Sequence, residues 1–251
     1  MKTIRTSDMA KAAGVHPNTI RAYEDLELIS PVPREENGYR RFSELHLDQV
    51  KLIRMNLKCT YLGDRISDTA YDILHLSARG MLSEALSQAE HLLIMIRKEK
   101  EQAEQAFKYL EDWAVGLETY DNTIGLQTRE AAGLLNITID MLYNWERNSL
   151  IKVPRKDNGY RIYGDYEIKR LMVIRILRQA RYGSMSILRV MSHLDGGRRE
   201  DLKKVIDTPE PDSDVAYLAF SDNWISTLDI SLKSAEMAVT HLKDMVKKYK
   251  M

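Results

Sequence analysis

The chain of 251 residues has little of what several large classes of protein require. Its single cysteine, Cys59, cannot form an internal disulfide or supply a thiolate cage for a metal. Only 3 Phe and 6 Pro are present, which disfavours a large all-β architecture. No apolar run reaches the roughly 20 residues of a membrane-spanning helix, and no apolar stretch follows the basic N-terminus. We therefore expect a cytoplasmic protein without a membrane segment or a secretory signal.

A surplus of charge and the motifs of an enzyme are missing as well. Lys and Arg together number 37 and are balanced by 37 Asp and Glu, so the chain is not basic throughout. A neutral total is still compatible with basic patches on part of the surface. The histidines show no metal-ligand spacing, and neither a Gly-rich phosphate loop nor a nucleophile motif occurs. The sequence predicts no enzymatic activity, no metal and no cofactor.

What the chain does contain is an internal repeat. The segment Arg34–Arg40 reads Arg-Glu-Glu-Asn-Gly-Tyr-Arg and recurs at Arg155–Arg161 as Arg-Lys-Asp-Asn-Gly-Tyr-Arg. Upstream, Ala22–Ile29 matches Asn144–Ile151 in the same order. Similarity that preserves the order of several motifs indicates a duplication.

Each copy begins with a pattern of two short helices joined by a tight turn. Thr6 and Thr128 are the predicted N-caps of the first helices, which end near Gly14 and Asn136. The second helix opens at a proline in the first copy and behind Thr138 in the second. The buried sides of the second helices are marked, at i, i+3 spacing, by Ile20 and Tyr23 and by Leu142 and Trp145. This order of elements is typical of a helix-turn-helix.

A basic turn follows each helix pair. Asn-Gly, a strong hairpin signal, occurs at 37–38 and again at 158–159, with an arginine before it and a tyrosine and an arginine after it. An Asn-Gly turn alone is usually a surface feature. Directly after a helix-turn-helix and lined with arginines, it predicts a wing that lies against a phosphate backbone.

Two segments carry apolar residues at heptad spacing. In 82–117 the steps alternate between four and three and only Lys100 interrupts them, which predicts a coiled-coil helix. A shorter seam over 224–249 is interrupted at Ser231. The stretch 207–224, with Tyr217 and Phe220, is interpreted as a linker, with part of a small-molecule pocket as the alternative.

Together these motifs resemble the MerR family of bacterial transcription regulators. The first copy carries the resemblance in Ile20–Glu24, Leu28, Ile29, Pro31, Arg34, Gly38–Arg40 and Phe42. The second copy matches less fully, in Leu142–Glu146, Leu150, Ile151, Arg155, Gly159–Arg161 and Tyr163.

The resemblance implies a recognition helix in the major groove and a wing on the DNA backbone. The DNA-binding residues that it implies are Pro17, Asn18, Thr19, Arg21, Tyr23, Arg34, Tyr39, Arg40, Arg41, Tyr143, Arg155, Lys156, Tyr160 and Arg161. The second copy departs from the pattern because Tyr143 stands where the recognition-helix arginine is expected. We expect a different base preference there. The alternative is that the second domain has a structural role and does not contact DNA.

The resemblance also implies that the long helices pair antiparallel, as in a dimer. The residues predicted for dimerisation are Leu86, Leu93, Ile96, Phe107, Leu110, Leu228, Leu242 and Met245. The two seams could pair within one chain as a pseudo-dimer, or between chains. Their unequal lengths favour a homodimer. RNA polymerase at the promoter is the further partner that the resemblance implies.

The sequence thus predicts a mainly α protein with two winged helix-turn-helix domains, at 1–76 and 123–206. A long coiled-coil helix joins them at 77–122, and a linker with a C-terminal coiled-coil helix occupies 207–251. The predicted function is a nucleoid-associated transcriptional regulator that binds unlike half-sites in double-stranded DNA and distorts the DNA between them. The alternatives are a helical interaction scaffold and an architectural DNA-binding protein.

Overall fold

The computed structural model describes residues 4–116, 125–208 and 222–249, which are mainly helical as predicted. They form two compact units. Unit 1 contains Met1–Lys98 and Leu228–Met251, and unit 2 contains Glu99–Thr227. The division follows packing and falls inside a long helix, whereas the predicted domain boundaries follow the repeat.

The helices follow the repeat pattern. Unit 1 contains α1 (Thr6–Ala13), α2 (Pro17–Asp25), α3 (Glu44–Asn56), a 3-10 turn (Leu57–Cys59) and α4 (Asp64–Ala78). Unit 2 contains α6 (Thr128–Leu135), α7 (Ile139–Arg147), α8 (Asp165–Gln179), α9 (Ser184–Asp195) and α10 (Leu202–Asp207). The long helix α5 (Leu82–Val115) and the last helix α11 (Trp224–Lys248) each contribute to both units.

The first helix of each copy ends as its sequence predicts. Gly14 after α1 and Asn136 after α6 both adopt the left-handed conformation, with φ of 64° and 49°. Glycine and asparagine tolerate this conformation better than other residues, so the chain turns sharply at both places. The predicted caps Thr6 and Thr128 were wrong by one residue, because each is the first residue of its helix.

Side-chain capping at the helix starts differs between the copies. Gln127 is the N-cap of α6, and its backbone N–H donates to the Glu130 carboxylate over 2.7 Å. The start of α7 is capped as predicted, since the Thr138 hydroxyl accepts from the Met141 backbone N–H over 3.2 Å. In α2 the capping group is the His16 ring, which accepts from the Asn18 backbone N–H.

Each unit has its own apolar core. In unit 1 the helices bury Ile20, Leu52, Ile53 and Ile73 completely. Cys59 lies in the same core, where burial raises the pKa of its thiol to about 12. In unit 2 the fully buried residues include Leu135, Leu171, Tyr182 and Ile187. Burying one such side chain stabilises a fold by about 1.5–3 kcal/mol.

The extended pieces of each copy pair through single bridges. Ile4 bridges Phe42 in unit 1, and Leu126 bridges Tyr163 in unit 2. Nearer to each Asn-Gly turn, one further bridge joins two arginines, Arg34 with Arg40 and Arg155 with Arg161. Within the described ranges no longer strand is assigned, so the predicted hairpins are tight turns with single bridges at their bases.

Unit 1 contains contacts between α5 and α11. Arg97 pairs with Glu236 at 3.0 Å, and Lys243 pairs with Glu90 at 3.1 Å. From Glu90 to Arg97 the chain advances seven residues along α5, while their partners step back seven residues along α11, from Lys243 to Glu236. The two helices therefore run antiparallel here.

The predicted dimerisation residues are largely buried within the single chain. Five of them are at most 1% exposed, namely Ile96, Leu110, Leu228, Leu242 and Met245. Phe107 is also buried, whereas Leu86 and Leu93 are half-buried. The predictions for Leu117 and for the linker residues Tyr217 and Phe220 lie outside the described residues.

The end of α11 is fixed to α3 in unit 1. The Asp48 carboxylate accepts from the Tyr249 hydroxyl over 2.8 Å and from the Lys248 ammonium over 3.0 Å. Glu44 also pairs with Lys248, at 3.1 Å. We call the contacts of Asp48 with Lys248 and Tyr249 the α11 latch.

Across the three described ranges, no helix is both long and apolar enough to cross a membrane.

Candidate nucleic-acid interface

The second helix of the first copy has a polar exposed face. Asn18 and Arg21 are exposed, and Pro17 and Thr19 are half-exposed. The Arg21 guanidinium donates to the Asn18 side-chain oxygen over 2.8 Å, and this contact uses the acceptor of the Asn18 amide and none of its N–H donors. The structure does not bring Tyr23 to this face, because its side chain packs in the core and is only 8% exposed.

The corresponding face of the second copy has different chemistry. Asp140 and Met141 are exposed at the start of α7, at the positions that Asn18 and Thr19 occupy in α2. Tyr143 is half-buried, and the guanidinium of Arg161 lies 4.6 Å from the centre of its ring. A carboxylate and a thioether therefore replace an amide and a hydroxyl at the exposed tip of this helix.

The two wings, which we define as residues 33–41 and 154–162, have the same backbone. In the first wing the Glu35 N–H donates to the Tyr39 carbonyl and the Gly38 N–H donates to the Glu35 carbonyl, both over 2.8 Å. Gly38 and Gly159 have φ of 82° and 81°. Only the glycine of each Asn-Gly pair is left-handed, which is typical of a type I turn followed by a left-handed residue. The asparagine instead accepts from the backbone N–H two residues later.

Aromatic and basic side chains project from both wings. Tyr39 and Tyr160 are each 72% exposed, far more than a tyrosine in a packed position. Arg34, Arg41, Arg155 and Lys156 are exposed as well. Arginine and tyrosine are donors that commonly contact phosphate oxygens.

Two further wing arginines are held by carboxylates of the preceding helices. Arg40 forms an ion pair through Nε with Glu24, and Arg34 approaches the other Glu24 oxygen at 4.0 Å. In the second copy Arg161 Nε lies 2.6 Å from Glu146, whose other oxygen lies 3.6 Å from Arg155.

The ion pair with Glu146 affects the pKa of Arg161. The hydrogen bond to Glu146 raises the pKa of Arg161 above its usual value, so its guanidinium stays charged. Arg40 and Arg161 are accordingly only half-exposed, unlike the wing-tip tyrosines.

Sequence reasoning assigned no role to Glu24 or Glu146. The available signal was their recurrence at the end of the second helix in both copies, 16 and 15 residues before the arginine that each one binds. Recurrence alone did not indicate the partner, because the wing is separated from the helix along the chain.

The described part of the chain contains no group of three or more His, Cys, Asp or Glu side chains that could hold a metal ion. The exposed groups of α2 and of the wings include an amide, guanidinium groups and phenols. They suit the donor and acceptor groups of nucleic acids.

Comparison with known proteins matches both copies to one family and finds individual relatives of the chain. Residues 5–42 and 127–163 match the family described as MerR family regulatory protein, so the predicted duplication is confirmed. The HTH-type transcriptional regulator CueR of Escherichia coli O6:H1 is 44% identical over 48 residues, which cover 19% of this chain and 36% of that protein. An uncharacterized HTH-type transcriptional regulator of Pseudomonas aeruginosa is 40% identical over 59 residues, 24% of this chain and 45% of that protein.

A third relative matches over a similar length. The HTH-type transcriptional regulator ZntR of Escherichia coli K12 is 40% identical over 50 residues, 20% of this chain and 36% of that protein. The matches thus span between about a third and a half of these relatives. No solved structure matches the chain.

Proposed function

Because the chain carries the MerR family regulatory domain at two places, we propose that it is a sequence-specific DNA-binding transcriptional regulator. One observation carries the proposal. In both copies a wing with an exposed tyrosine and exposed basic residues is ion-paired to the end of the second helix of a helix-turn-helix. An interaction scaffold does not require this arrangement twice.

In the proposed complex, α2 and α7 lie in major grooves and the wings lie on the flanking backbone. The N-terminus of a helix favours anions, so the starts of α2 and α7 suit the approach of phosphates. Tyr39 and Tyr160 would donate to phosphate oxygens from the wings, and the exposed basic residues would release counterions.

The two half-sites are proposed to differ. Arginine pairs well with guanine and asparagine with adenine, so Arg21 and Asn18 favour purines in the first half-site. An aspartate accepts from cytosine N4, and an apolar side chain contacts the thymine methyl group. Asp140 and Met141 therefore favour pyrimidines on the contacted strand of the second half-site.

We propose further that the bound DNA is bent or untwisted between the half-sites. Sequence-dependent deformability of the central base pairs would then add to direct readout. Gel mobility of circularly permuted fragments measures such a bend. RNA polymerase at the promoter is the proposed partner, and transcription in vitro with purified polymerase tests it.

Burial of the seam residues supports pairing of α5 with α11 inside one chain. Leu228, Leu242 and Met245 are already removed from solvent without a second molecule, and the ion pairs of Arg97 and Lys243 run antiparallel. We therefore propose a single-chain pseudo-dimer. The homodimer that the unequal lengths of the two seams predict is the alternative to this assembly. Light scattering of the free protein discriminates between the chain mass of 29.0 kDa and twice that mass.

The first experiment is selection of binding sites from random DNA by the full chain. We expect an asymmetric site with two unlike halves, and a loss of preference in one half for Arg21→Ala. Lys108→Gln, which removes an exposed cation of α5, is the matched control and should leave the selected site unchanged. Strictly palindromic sites would contradict unlike half-sites. If no sequence is enriched, the scaffold alternative becomes the better account.

A further inference from the structure

We propose that Glu24 and Glu146 are positioning residues for DNA binding, each fixing its wing against the recognition helix by holding two wing arginines. The inference rests on the proposed function and adds to it a role for two acidic residues at a surface that faces a polyanion. Neither glutamate would contact DNA itself.

Each carboxylate divides its oxygens between the two arginines at the base of a wing. Glu24 meets Arg40 through Oε2 and Arg34 through Oε1, and these two arginines are also joined by a backbone bridge. The Glu24 side chain is 18% exposed, so water screens the contact with Arg40 only in part. The helix end and both sides of the wing base are thereby connected through one residue.

The second copy shows the same arrangement with different surroundings. Glu146 meets Arg161 through Oε2 at 2.6 Å and Arg155 through Oε1 at 3.6 Å, and its side chain is 21% exposed. Tyr143 beneath Arg161 replaces the arginine found in α2, yet the oxygen assignments are unchanged. The contact has therefore persisted while the exposed helix residues diverged.

The bound arginines retain donors for a phosphate. A guanidinium carries five N–H groups, and the Nε contact to glutamate uses one of them. A wing whose arginines are already ordered loses less side-chain entropy when it binds. For two arginines this corresponds to an affinity gain of about tenfold.

The sign of a charge substitution separates this role from simple electrostatics. Removing a negative charge beside DNA should strengthen binding if charge alone matters. If Glu24 positions the wing, Glu24→Gln in the full chain should instead weaken binding to the selected DNA about tenfold. Glu36→Gln removes an exposed acid from the same wing and is the matched control, with affinity unchanged or slightly higher.

A double-mutant cycle with Arg40 tests whether Glu24 acts through that arginine. In an Arg40→Ala background, Glu24→Gln should cost about threefold instead of tenfold, because Arg34 is the one partner that is left. The slope of log affinity against log salt should fall for Arg40→Ala and stay unchanged for Glu24→Gln, since only the arginine donates to phosphate. Glu146→Gln should cost about threefold, because the Tyr143 ring still supports Arg161.

The outcomes are distinguishable. Equal or tighter binding by Glu24→Gln overturns the positioning role alone, as does a strictly additive cycle. A fall in the melting temperature that accounts for the whole loss of affinity would identify Glu24 as a general stability residue and also overturn it. If the wild-type chain binds no DNA, the proposed function itself fails.

Discussion

At one pair of equivalent buried positions the two copies differ in charge, and the difference shows what the fold requires there. In the first copy Gln49 of α3 donates to the Ser77 carbonyl and to the Ser30 hydroxyl, both over 2.8 Å, and accepts from the Ser30 N–H over 3.0 Å. It thereby connects the end of α4 with the chain that leads into the wing.

In the second copy the same position is Arg170 of α8. Its Nε donates to the Leu150 carbonyl over 2.8 Å, and its Nη groups reach Asp195 at the end of α9 and the Tyr166 hydroxyl. A buried charge with a carboxylate partner thus replaces a neutral amide. The fold requires a polar group that joins three elements at this place, and either chemistry suffices.

The same comparison divides the surface into constant and variable parts. The wing turns and their glutamate contacts are alike in both copies, whereas the exposed recognition-helix residues differ. Backbone contacts in DNA recognition are independent of sequence and base contacts are not. Divergence of the helix face with retention of the wing is therefore what two unlike half-sites would produce.

The largest effect is expected from breaking the buried charge pair of the second copy. Arg170→Ala should destabilise unit 2 by about 2–3 kcal/mol, less than for a fully buried pair because Asp195 is half exposed. Hydrogen exchange followed by mass spectrometry measures unit 2 separately. Lys169→Ala, an exposed cation on the same helix, is the control.

The matching change in the first copy should cost less. Gln49→Ala leaves uncharged groups without partners, which corresponds to about 1–3 kcal/mol in unit 1. If Arg170→Gln restores the stability of unit 2, the two solutions are interchangeable. A loss below about 0.5 kcal/mol for Arg170→Ala would contradict the importance of the pair.

Next in size is the contrast between the recognition helices. Arg21→Ala should lower affinity about tenfold through the first half-site, because a well-placed arginine contributes about 1–3 kcal/mol of base discrimination. Tyr143→Ala should lower it only about threefold, through the loss of the support of Arg161. Binding to sites with one half scrambled measures each effect. Equal losses at both halves would contradict the division of roles.

The smallest effect is expected at the α11 latch, which the second copy lacks because its equivalent of Asp48 is Lys169. Burial of the Asp48 carboxyl acts to raise its pKa, but the hydrogen bonds from Tyr249 and Lys248 outweigh it and hold the pKa below its usual value. The latch therefore stabilises unit 1 fully above about pH 3.9, the ordinary aspartate pKa, and is lost as the pH falls through the lower folded value.

Exposure of the end of α11 measures the latch. Amide exchange near Lys248 should accelerate when the pH is lowered from 6 towards 3, after correction for the intrinsic pH dependence of exchange. Asp48→Asn should show faster exchange already at pH 6 and little further change. An unchanged rate across this range in the wild type would show that the latch does not fix the helix end.

The sequence predicted local features well because neighbouring residues determine them. The left-handed ends at Gly14 and Asn136, the start of α7 behind Thr138 and the wing glycines all depend on backbone preferences that a few residues set. It was one residue off at the caps Thr6 and Thr128, since helix ends depend on competition between adjacent polar side chains.

The tertiary structure decided what depends on contacts between distant segments. Amino-acid order alone was enough to predict the duplication and the helical class, both of which are confirmed, and the position of the two Asn-Gly turns, because repeats and periodicity are properties of the chain itself. It could not show that Glu24 binds Arg40, that Tyr23 is buried, or that the seam residues of α11 are buried inside a single chain. Those facts depend on which distant side chains the packing of the chain brings within a few ångströms of each other. Heptad spacing does not decide between a partner helix in the same chain and one in another molecule, because the pattern is the same for both.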